Sequence, residues 1–314
     1  MAHNVETMAY AGETPWHGLG VPVPADLSPE QMLEKAGLDW TVRKVPAFAS
    51  IGGNKSIPVG KSVLVRESDD TVLDVVGDDW NVLQNRDAFE FFHDFVANGD
   101  MEMHTAGSLR NGQIVWALAK VHDGFELFKG DQVDSYLLFS NPHRYGWSID
   151  VRFTPIRVVC NNTLTLSLNT SSKNFVKISH RTQFDGDMVK ETLGVAKEKL
   201  SKYREMAQFL GKKKYNVIDL TKYFKQVFPV QGVSVEARKE LSKSASKALD
   251  VIHTQPGAEF AEGSWWQAFN TVTYMVDHVI GRSQDSRMTN AWFGTGKKLK
   301  SDALELAIEM AEAA

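Results

Sequence analysis

Two arginines, a cysteine and a pair of asparagines interrupt a segment that otherwise alternates like paired β-strands. The segment covers residues 136–170, and these side chains are Arg152, Arg157, Cys160, Asn161 and Asn162. Arginine suits phosphate contact because its planar guanidinium donates in a fork, and aromatic neighbours such as Phe153 could stack on bases. The alternative is structural, with Asp150 and Arg152 pairing on one face of a strand. Cys160 lacks an activating neighbour and is interpreted as a small buried side chain.

A glycine-lysine segment precedes the last predicted helix. Gly294 and Gly296 come just before Lys297, Lys298 and Lys300. Free N–H groups at a helix start attract phosphate, and lysines there oppose the helix dipole, which favours a bound anion. The segment therefore predicts an anion-binding loop. The alternative is a glycine-linked turn with a lysine-rich first helical turn.

Titratable residues in two further segments could supply acid–base chemistry. Residues 14–20, TPWHGLG, contain Trp16, His17 and Gly18, and residues 264–281 contain Asp277 and His278. If His17, Asp277 and His278 met in one pocket, they would suit an enzyme acting on a nucleotide or phosphorylated substrate.

A structural reading of both segments is favoured. Trp266, Asn270 and Asp277 share a helical face, which is typical of a buried hydrogen-bond network. Trp16 would then be a packing residue and His17 a hydrogen-bonded one, since the sequence offers no third catalytic partner.

Neither a metal site nor a cofactor is expected. The chain has one cysteine and no HExxH motif or closely spaced histidine pair, which excludes the common zinc patterns and an intramolecular disulfide. Its apolar runs are far shorter than the roughly 20 residues of a membrane span, and the N-terminus lacks the pattern of a secretory signal. We therefore expect a cytoplasmic protein without membrane association.

Charge is distributed unevenly along the chain. Residues 1–173 carry 14 basic and 22 acidic side chains, whereas residues 173–247 carry 17 basic and 8 acidic ones. This polarity is typical of a surface that faces a polyanion, and a lysine-rich solvated helix face is the alternative. The candidate nucleic-acid contacts are Arg152, Arg157, Lys173, Lys177, Arg181, Lys297, Lys298 and Lys300.

The elements that must position these residues change type along the chain. Short β-branched runs predict strands over 40–50, 61–68 and 71–79, and hairpins over 101–121 and 136–157. Helical spacing predicts helices over 86–99, 187–213, 217–228, 235–254, 264–281 and 297–313. Strands followed by helices indicate an α+β fold. An antiparallel sheet region, 1–184, should be followed by a helical region, 185–314, packed on or beside it as one unit.

Four blocks occur in a fixed order: TPWHGLG (14–20), TPIRVVCNNTLTLSL (154–168), WWQAFNTVTYMVDH (265–278) and AWFGTGKKLK (291–300). Together they resemble a family of phage/plasmid-like proteins, a domain of unknown function found in phages, prophages and plasmids. The resemblance spans almost the whole chain. It implies a mobile-element origin and a bacterial cytoplasmic setting, and it supplies no catalytic residues.

The leading functional hypothesis is non-enzymatic nucleic-acid binding in phage or plasmid DNA metabolism, as a single-strand binding or annealing factor. It rests on the basic segment, the arginine-rich strand and the glycine-lysine helix start. Two alternatives stay open: the enzyme described above, and a host-directed interaction protein whose acidic first half binds a basic partner. A homo-oligomer is also left open.

Overall fold

In the computed structural model of the protein, the described residues are 5–12, 19–53, 55–157, 162–163, 175–194, 196–230, 241–281 and 295–313. The strands are β1 (Val5–Ala11), β2 (Val21–Val23), β3 (Val42–Ser50), β4 (Ser56–Arg66), β5 (Thr71–Gly77), β6 (Met101–Leu109), β7 (Ile114–Glu126), β8 (Gln132–Pro142), β9 (Ile149–Arg157), β10 (Asn162–Thr163) and β11 (Phe175–Ile178).

The helices follow mostly in the second half of the chain. They are α1 (Pro29–Lys35), α2 (Asn85–Glu90), α3 (His93–Ala97), α4 (Gly186–Gly194), α5 (Ala196–Lys212), α6 (Val217–Val227), α7 (Lys243–Val251), α8 (Trp265–Tyr274) and α9 (Thr295–Glu312). A 3₁₀ turn covers Ala258–Ala261, and a π turn, Met275–Val279, continues α8. The mixed α+β class predicted from the sequence is confirmed.

Two sheets form from the predicted hairpins. The larger has the strand order β10-β9-β8-β7-β6-β1-β2, with β11 also pairing with β9, and the smaller has the order β3-β4-β5. Between the strands predicted over 61–68 and 71–79, a turn at Asp69–Asp70 joins β4 to β5, and Asp70 adopts a φ of 54° there. Within the hairpin predicted over 101–121, a turn at Asn111–Gly112 joins β6 to β7. One pair departs from the expected antiparallel arrangement, because β1 and β2 are parallel.

The chain divides into two compact units. The first contains Met1–His122, Tyr136–Phe153 and Phe175–Gly194, and the second contains Asp123–Ser135, Thr154–Asn174 and Val195–Ala314. The smaller sheet and α1 to α4 belong to the first unit, whereas α5 to α9 belong to the second. Strands β7, β8 and β9 begin in one unit and end in the other.

The predicted helix over 86–99 is instead two short helices. Helix α2 ends before Phe91, and α3 begins at His93. Phe91 and Phe92 are buried at the break, where both rings pack against Phe139 with centroid separations of 5.3 and 6.0 Å. The helical pattern is thus interrupted for two residues, whose rings both enter the core.

The helical unit has a continuous apolar core around α8. Residues 265–273 of α8 are all buried, and α9 and α5 pack against it. Ser264 caps the helix because its hydroxyl accepts a hydrogen bond from the backbone N–H of Gln267, which satisfies one of the free donors at the helix start. The core includes the large side chains Tyr203, Tyr223, Phe224, Trp265, Trp266 and Phe269.

Within the described part of the chain, no helix is both long enough and apolar enough to cross a bilayer.

Substitution of Gly211, in the last turn of α5, tests the packing of this core. A Cβ at Gly211 would lie 2.6 Å from Phe128 Cε1 and closer still to Cζ. Although alanine normally favours a helix, Gly211→Ala should lower the free energy of unfolding by about 1–3 kcal/mol, the usual cost of overpacking. Urea unfolding measures this change. Gly186→Ala is the matched control, because its Cβ would meet Phe184 Cε1 at an ordinary 3.6 Å. A gain of stability in Gly211→Ala would contradict the packing.

Candidate functional site

Four lysines of the helical unit lie on α6 and α7. Lys222 and Lys225 are three residues apart on α6, and Lys243 and Lys247 are four apart on α7. Each pair therefore shares a helix face. The opposite face of α6 is apolar and buried, and α6 packs against α7. The alternation of buried and charged positions thus directs these ammonium groups away from the core.

The end of α5 adds a second group of cations. Lys212, Lys213 and Lys214 are consecutive, and Lys213 Nζ lies 5.9 Å from the ring centroid of Phe209. Lys214 donates a hydrogen bond to the carbonyl oxygen of Glu262. These seven lysines, Lys212–Lys214, Lys222, Lys225, Lys243 and Lys247, are called the basic surface below.

The described part of the chain leaves the lysines of the basic surface without carboxylate partners. Among the described residues, none of its lysines forms an ion pair with a carboxylate. Over 203–230 and 241–250 the chain has eight basic and three acidic side chains. Unpaired like charges repel one another and accumulate counterions, so this surface stores electrostatic free energy that an anionic partner would release.

Two exposed aliphatic side chains lie beside these cations. Val217 and Ile218 form the first turn of α6 and are among the most exposed apolar residues of the protein. Ile218 is four residues from Lys222, so both lie on one side of the helix. The surface thus combines unpaired cations with apolar contact area.

Other cations expected to contact nucleic acid are buried in ion pairs. Arg152 and Asp150 lie on β9, and the guanidinium Nη2 donates to Asp150 Oδ2 over 3.0 Å. Both residues are buried. Burial lowers the pKa of Arg152, and the adjacent Asp150 carboxylate opposes that shift. The pairing that the sequence offered as a structural alternative is therefore formed, and it keeps this guanidinium from solvent.

Lys300 is also buried, in the second unit. Its side chain is 1% exposed, and Nζ donates to Asp277 Oδ1 over 2.9 Å. Asp277 lies in the π turn that continues α8, whereas Lys300 lies in the second turn of α9. A buried charge of either sign is costly without a partner. The pair therefore joins α9 to the end of α8 and occupies the carboxylate proposed as a catalytic acid or base.

The remaining described candidates are exposed or structural. Arg181 pairs with Asp79 over 2.9 Å, and Lys298 pairs with Asp302 over 3.6 Å. Lys177 is exposed, Gly296 is buried, and His278 packs its ring 5.1 Å from that of Tyr274. Trp266 and Asn270 are buried, and Asn270 Nδ2 donates to the carbonyl oxygen of Trp266.

Several predicted site residues lie outside the described residues. They are Trp16, His17, Gly18, Asn161, Lys173 and Gly294, together with the side chains of Arg157, Asn162 and Lys297. Within the described part, no group of three side chains is arranged to hold a metal ion.

The first unit contains a buried polar cluster that sequence reasoning missed. Its centre is the contact of His143 Nε2 with Asn85 Oδ1 at 2.9 Å. Because Asn85 Nδ2 donates to the carbonyl oxygens of Leu38 and Trp40, its Oδ1 must accept, and His143 is therefore protonated on Nε2. Burial lowers the pKa of His143 to about 3, with a smaller contribution from His180.

Hydrogen bonds of the same cluster hold the loop before α2 in place. Gln84 forms two hydrogen bonds of 2.9 Å with the backbone of Val42, and Asn141 Nδ2 donates to the carbonyl oxygen of Leu83. His180 Nδ1 donates to the carbonyl oxygen of Asn81 over 3.0 Å, and its ring stacks on Trp80 at 4.1 Å. Burial lowers the pKa of His180 as well. Around residues 80–85, hydrogen bonds with side-chain amides and neutral imidazoles thus take the place of the backbone hydrogen bonds of regular secondary structure.

A family model described as a domain of unknown function, DUF932, matches residues 72–292. The chain belongs to the DUF932 family. No curated protein and no solved structure matches it.

The DUF932 match includes both the polar cluster and the basic surface. Asn85, His143 and His180 lie within it, as do helices α5 to α8. The TPWHGLG block and most of the glycine-lysine block fall outside the matched residues. Strands β6 to β11 and helices α2 to α8 therefore lie within the matched residues, whereas β1 to β4, α1 and α9 lie outside them.

A signal for the missed cluster is present in the sequence. Residues 80–85, WNVLQN, combine three apolar and three amide side chains at the start of a helix. Amides among apolar residues need hydrogen-bond partners when buried, so this pattern indicates a loop that is held in place by side-chain hydrogen bonds. For the basic surface, the signal was the charge excess over 173–247, which did not identify individual lysines.

Titration of His143 predicts a loss of stability in acid. Its pKa is about 3 in the folded protein against 6.5 as the ordinary value, so the unfolded chain binds the extra proton between those limits. Stability should therefore be complete above about pH 6.5 and fall as the pH drops towards 3, by up to about 1.4 kcal/mol per pH unit from this group. His143→Gln retains a donor for Asn85 without titrating, and should give a shallower decline in urea unfolding. A decline as steep as that of the wild type in His143→Gln would contradict this assignment.

Removal of Lys300 should destabilise the second unit strongly. Lys300→Met leaves the Asp277 carboxylate buried without its ammonium partner, at a cost of about 3–5 kcal/mol. The double variant D277L/K300M should recover most of that loss, because both charges are removed together. Lys298→Met is the control on the same helix, since its exposed pair with Asp302 contributes about 0–1 kcal/mol. Equal losses in the single and double variants would contradict a buried pair.

Proposed function

We propose that the protein binds single-stranded nucleic acid, without catalysis, through the basic surface of its helical unit. The observation that carries this proposal is the set of seven lysines on α5, α6 and α7 and in the residues that follow α5, which have no carboxylate partner among the described residues. A phosphate backbone gains free energy at such a surface because its condensed counterions are released.

The exposed aliphatic residues favour a single strand as the ligand. Val217 and Ile218 lie next to the lysines and offer apolar area. Bases of a single strand present their faces to such contacts, whereas those faces are stacked in a duplex. A duplex would use the lysines alone.

The contact set proposed here differs from the one expected from the sequence. Arg152 and Lys300 are held in buried ion pairs, so neutralising them would disturb folding before binding. Lys177, Arg181 and Lys298 remain as exposed cations of the original set. In the proposed set of contacts, the lysines of α6 and α7 replace Arg152 and Lys300.

The order of the four sequence blocks supports a setting for this activity. We propose that the protein is encoded by phages, prophages or plasmids and acts in the bacterial cytoplasm on DNA intermediates, as a strand-binding or annealing factor. The resemblance in those blocks supports the mobile-element origin, and the charge of the helical unit supports the ligand.

Oligonucleotide binding measured by fluorescence anisotropy tests the proposal. A labelled single strand should bind with an affinity that falls steeply from about 50 to 200 mM salt. The variants K222Q/K225Q and K243Q/K247Q should each weaken binding several-fold. If each lysine contacts one phosphate, each pair should also reduce the slope of log K against log salt by about 1.4.

The matched control is K35Q/K55Q, which removes two exposed lysines from the first unit. It should leave affinity and salt slope unchanged. An equal loss in this control would mean that net charge, and not the basic surface, determines binding. Absence of binding at low salt would overturn the proposal, and tighter binding to a duplex of the same length would overturn the choice of ligand.

A further inference from the structure

The turn between β8 and β9 places an aromatic ring and a guanidinium at the surface of the first unit. Its four residues, Arg144–Trp147, are called the hairpin tip below. The side chain of Tyr145 is exposed, and that of Arg144 is half-buried without an ion pair among the described residues. An aromatic face and an unpaired guanidinium are the groups that suit contact with the base and the phosphate of a single strand.

The geometry of the turn does not account for the ring of Tyr145. The N–H group of Trp147 donates to the carbonyl oxygen of Arg144 over 3.3 Å, and Gly146 supplies a φ of 78° at the third position of the turn. Such a turn favours glycine at that position but does not require an aromatic residue at the second position. Tyr145 is the second residue, and its side chain is 57% exposed. The ring therefore neither forms the turn nor fills the core.

Hydrogen bonds to two neighbouring segments fix the backbone of the hairpin tip. The N–H group of Tyr145 donates to Asp74 Oδ2 over 2.9 Å, and the N–H group of Val75 donates to the other oxygen of the same carboxylate. His143, directly before the tip, donates its backbone N–H to the carbonyl oxygen of Gln113 over 2.8 Å. The ring of Tyr145 is thus presented from an ordered backbone, so a ligand that stacks on it pays little for ordering the protein.

Trp147 holds the guanidinium of Arg144 without neutralising it. Arg144 Cζ lies 5.7 Å from the centroid of the Trp147 ring, which is within the range of a cation–π contact. That contact leaves the positive charge in place, because the indole supplies no carboxylate. The N–H donors of a guanidinium form a planar fork, which a phosphate can accept with two oxygens at once.

A second arginine lies at the same end of the larger sheet. The strand order β9-β8-β7-β6 places the β6–β7 turn and the β8–β9 turn at one end, and the hydrogen bond from His143 to Gln113 joins the two turns directly. The β6–β7 turn carries Arg110, which is exposed and forms no ion pair among the described residues. This end of the sheet therefore combines two cations with an exposed aromatic ring.

We propose that the hairpin tip is a base-stacking site for single-stranded nucleic acid, in which the ring of Tyr145 stacks on an unpaired base and Arg144 and Arg110 contact phosphates of the same strand. This site rests on the function proposed above and adds to it a contact with the face of a base. Every base has such a face, so the contact tolerates any sequence. In a duplex the base faces are stacked on one another and are closed to the ring.

Fluorescence anisotropy with a labelled oligothymidylate and an abasic strand of equal length tests the stacking. Tyr145→Ala should weaken binding to oligothymidylate about fivefold or more, the usual effect of losing one base–aromatic stack, and should keep the salt slope because the ring is uncharged. On the abasic strand, which has phosphates but no bases, Tyr145→Ala should bind as tightly as the wild type. Tyr145→Trp should retain affinity for oligothymidylate. R110Q/R144Q should reduce the slope of log K against log salt by about 1.4 on both strands.

Phe48→Ala is the matched control, because Phe48 is an aromatic residue of the same unit with a similar exposed fraction. It should leave both affinities unchanged. Circular dichroism shows whether each variant is folded, and Tyr145→Gln replaces Tyr145→Ala in the comparison if the latter is not. Equal losses on both strands in Tyr145→Ala would overturn the stacking site. Unchanged binding in Tyr145→Ala, with weaker binding in K222Q/K225Q, would overturn this site alone and leave the function proposed for the basic surface. A wild type that binds neither strand would overturn both.

Discussion

The ion pair between Asp277 and Lys300 determines how the end of the helical unit is assembled. Neither charge is tolerable in that position alone, because the transfer of a single charge from water into the core costs several kcal/mol. The last helix must therefore sit where its lysine reaches the carboxylate. The continuous apolar contacts of α9 with α8 fix the distance between these helices, and the ion pair selects one position among the positions that apolar packing alone would allow.

The first unit also buries polar groups that need partners, and those around α2 are neutral. Residues 80–84 form no helix or strand, yet Trp80 and Leu83 are buried. Their backbone groups and those of the adjoining strands are satisfied by Gln84, Asn85 and Asn141. Neutral imidazoles at His143 and His180 complete the cluster, and burial keeps them neutral by lowering their pKa. The first unit thus buries polar groups both as amide and imidazole hydrogen bonds and, at Asp150 and Arg152, as an ion pair.

Local patterns predicted most of the elements and little of the charge pairing. The turns at Asp69–Asp70 and Asn111–Gly112 follow from residues that tolerate positive φ, and the helices α6 and α9 follow from their apolar spacing. The packing of Phe91 and Phe92 against Phe139 was not predictable in this way, because Phe139 is distant in sequence. Burial of Lys300 likewise depends on a carboxylate 23 residues away. A lysine-rich helix start looks the same in sequence whether its third lysine faces solvent or the core.

The π turn at the end of α8 makes the site of Asp277 sensitive to chain length. A π turn contains one residue more than the α-helical turn it replaces, so the side chains within it, such as that of Asp277, are rotated from their α-helical positions. Substitutions within Met275–Val279 preserve that rotation, whereas deletion of a single residue would restore the regular helix and turn the carboxylate away from α9. In related chains, we therefore expect this stretch to vary in composition while its number of residues stays constant.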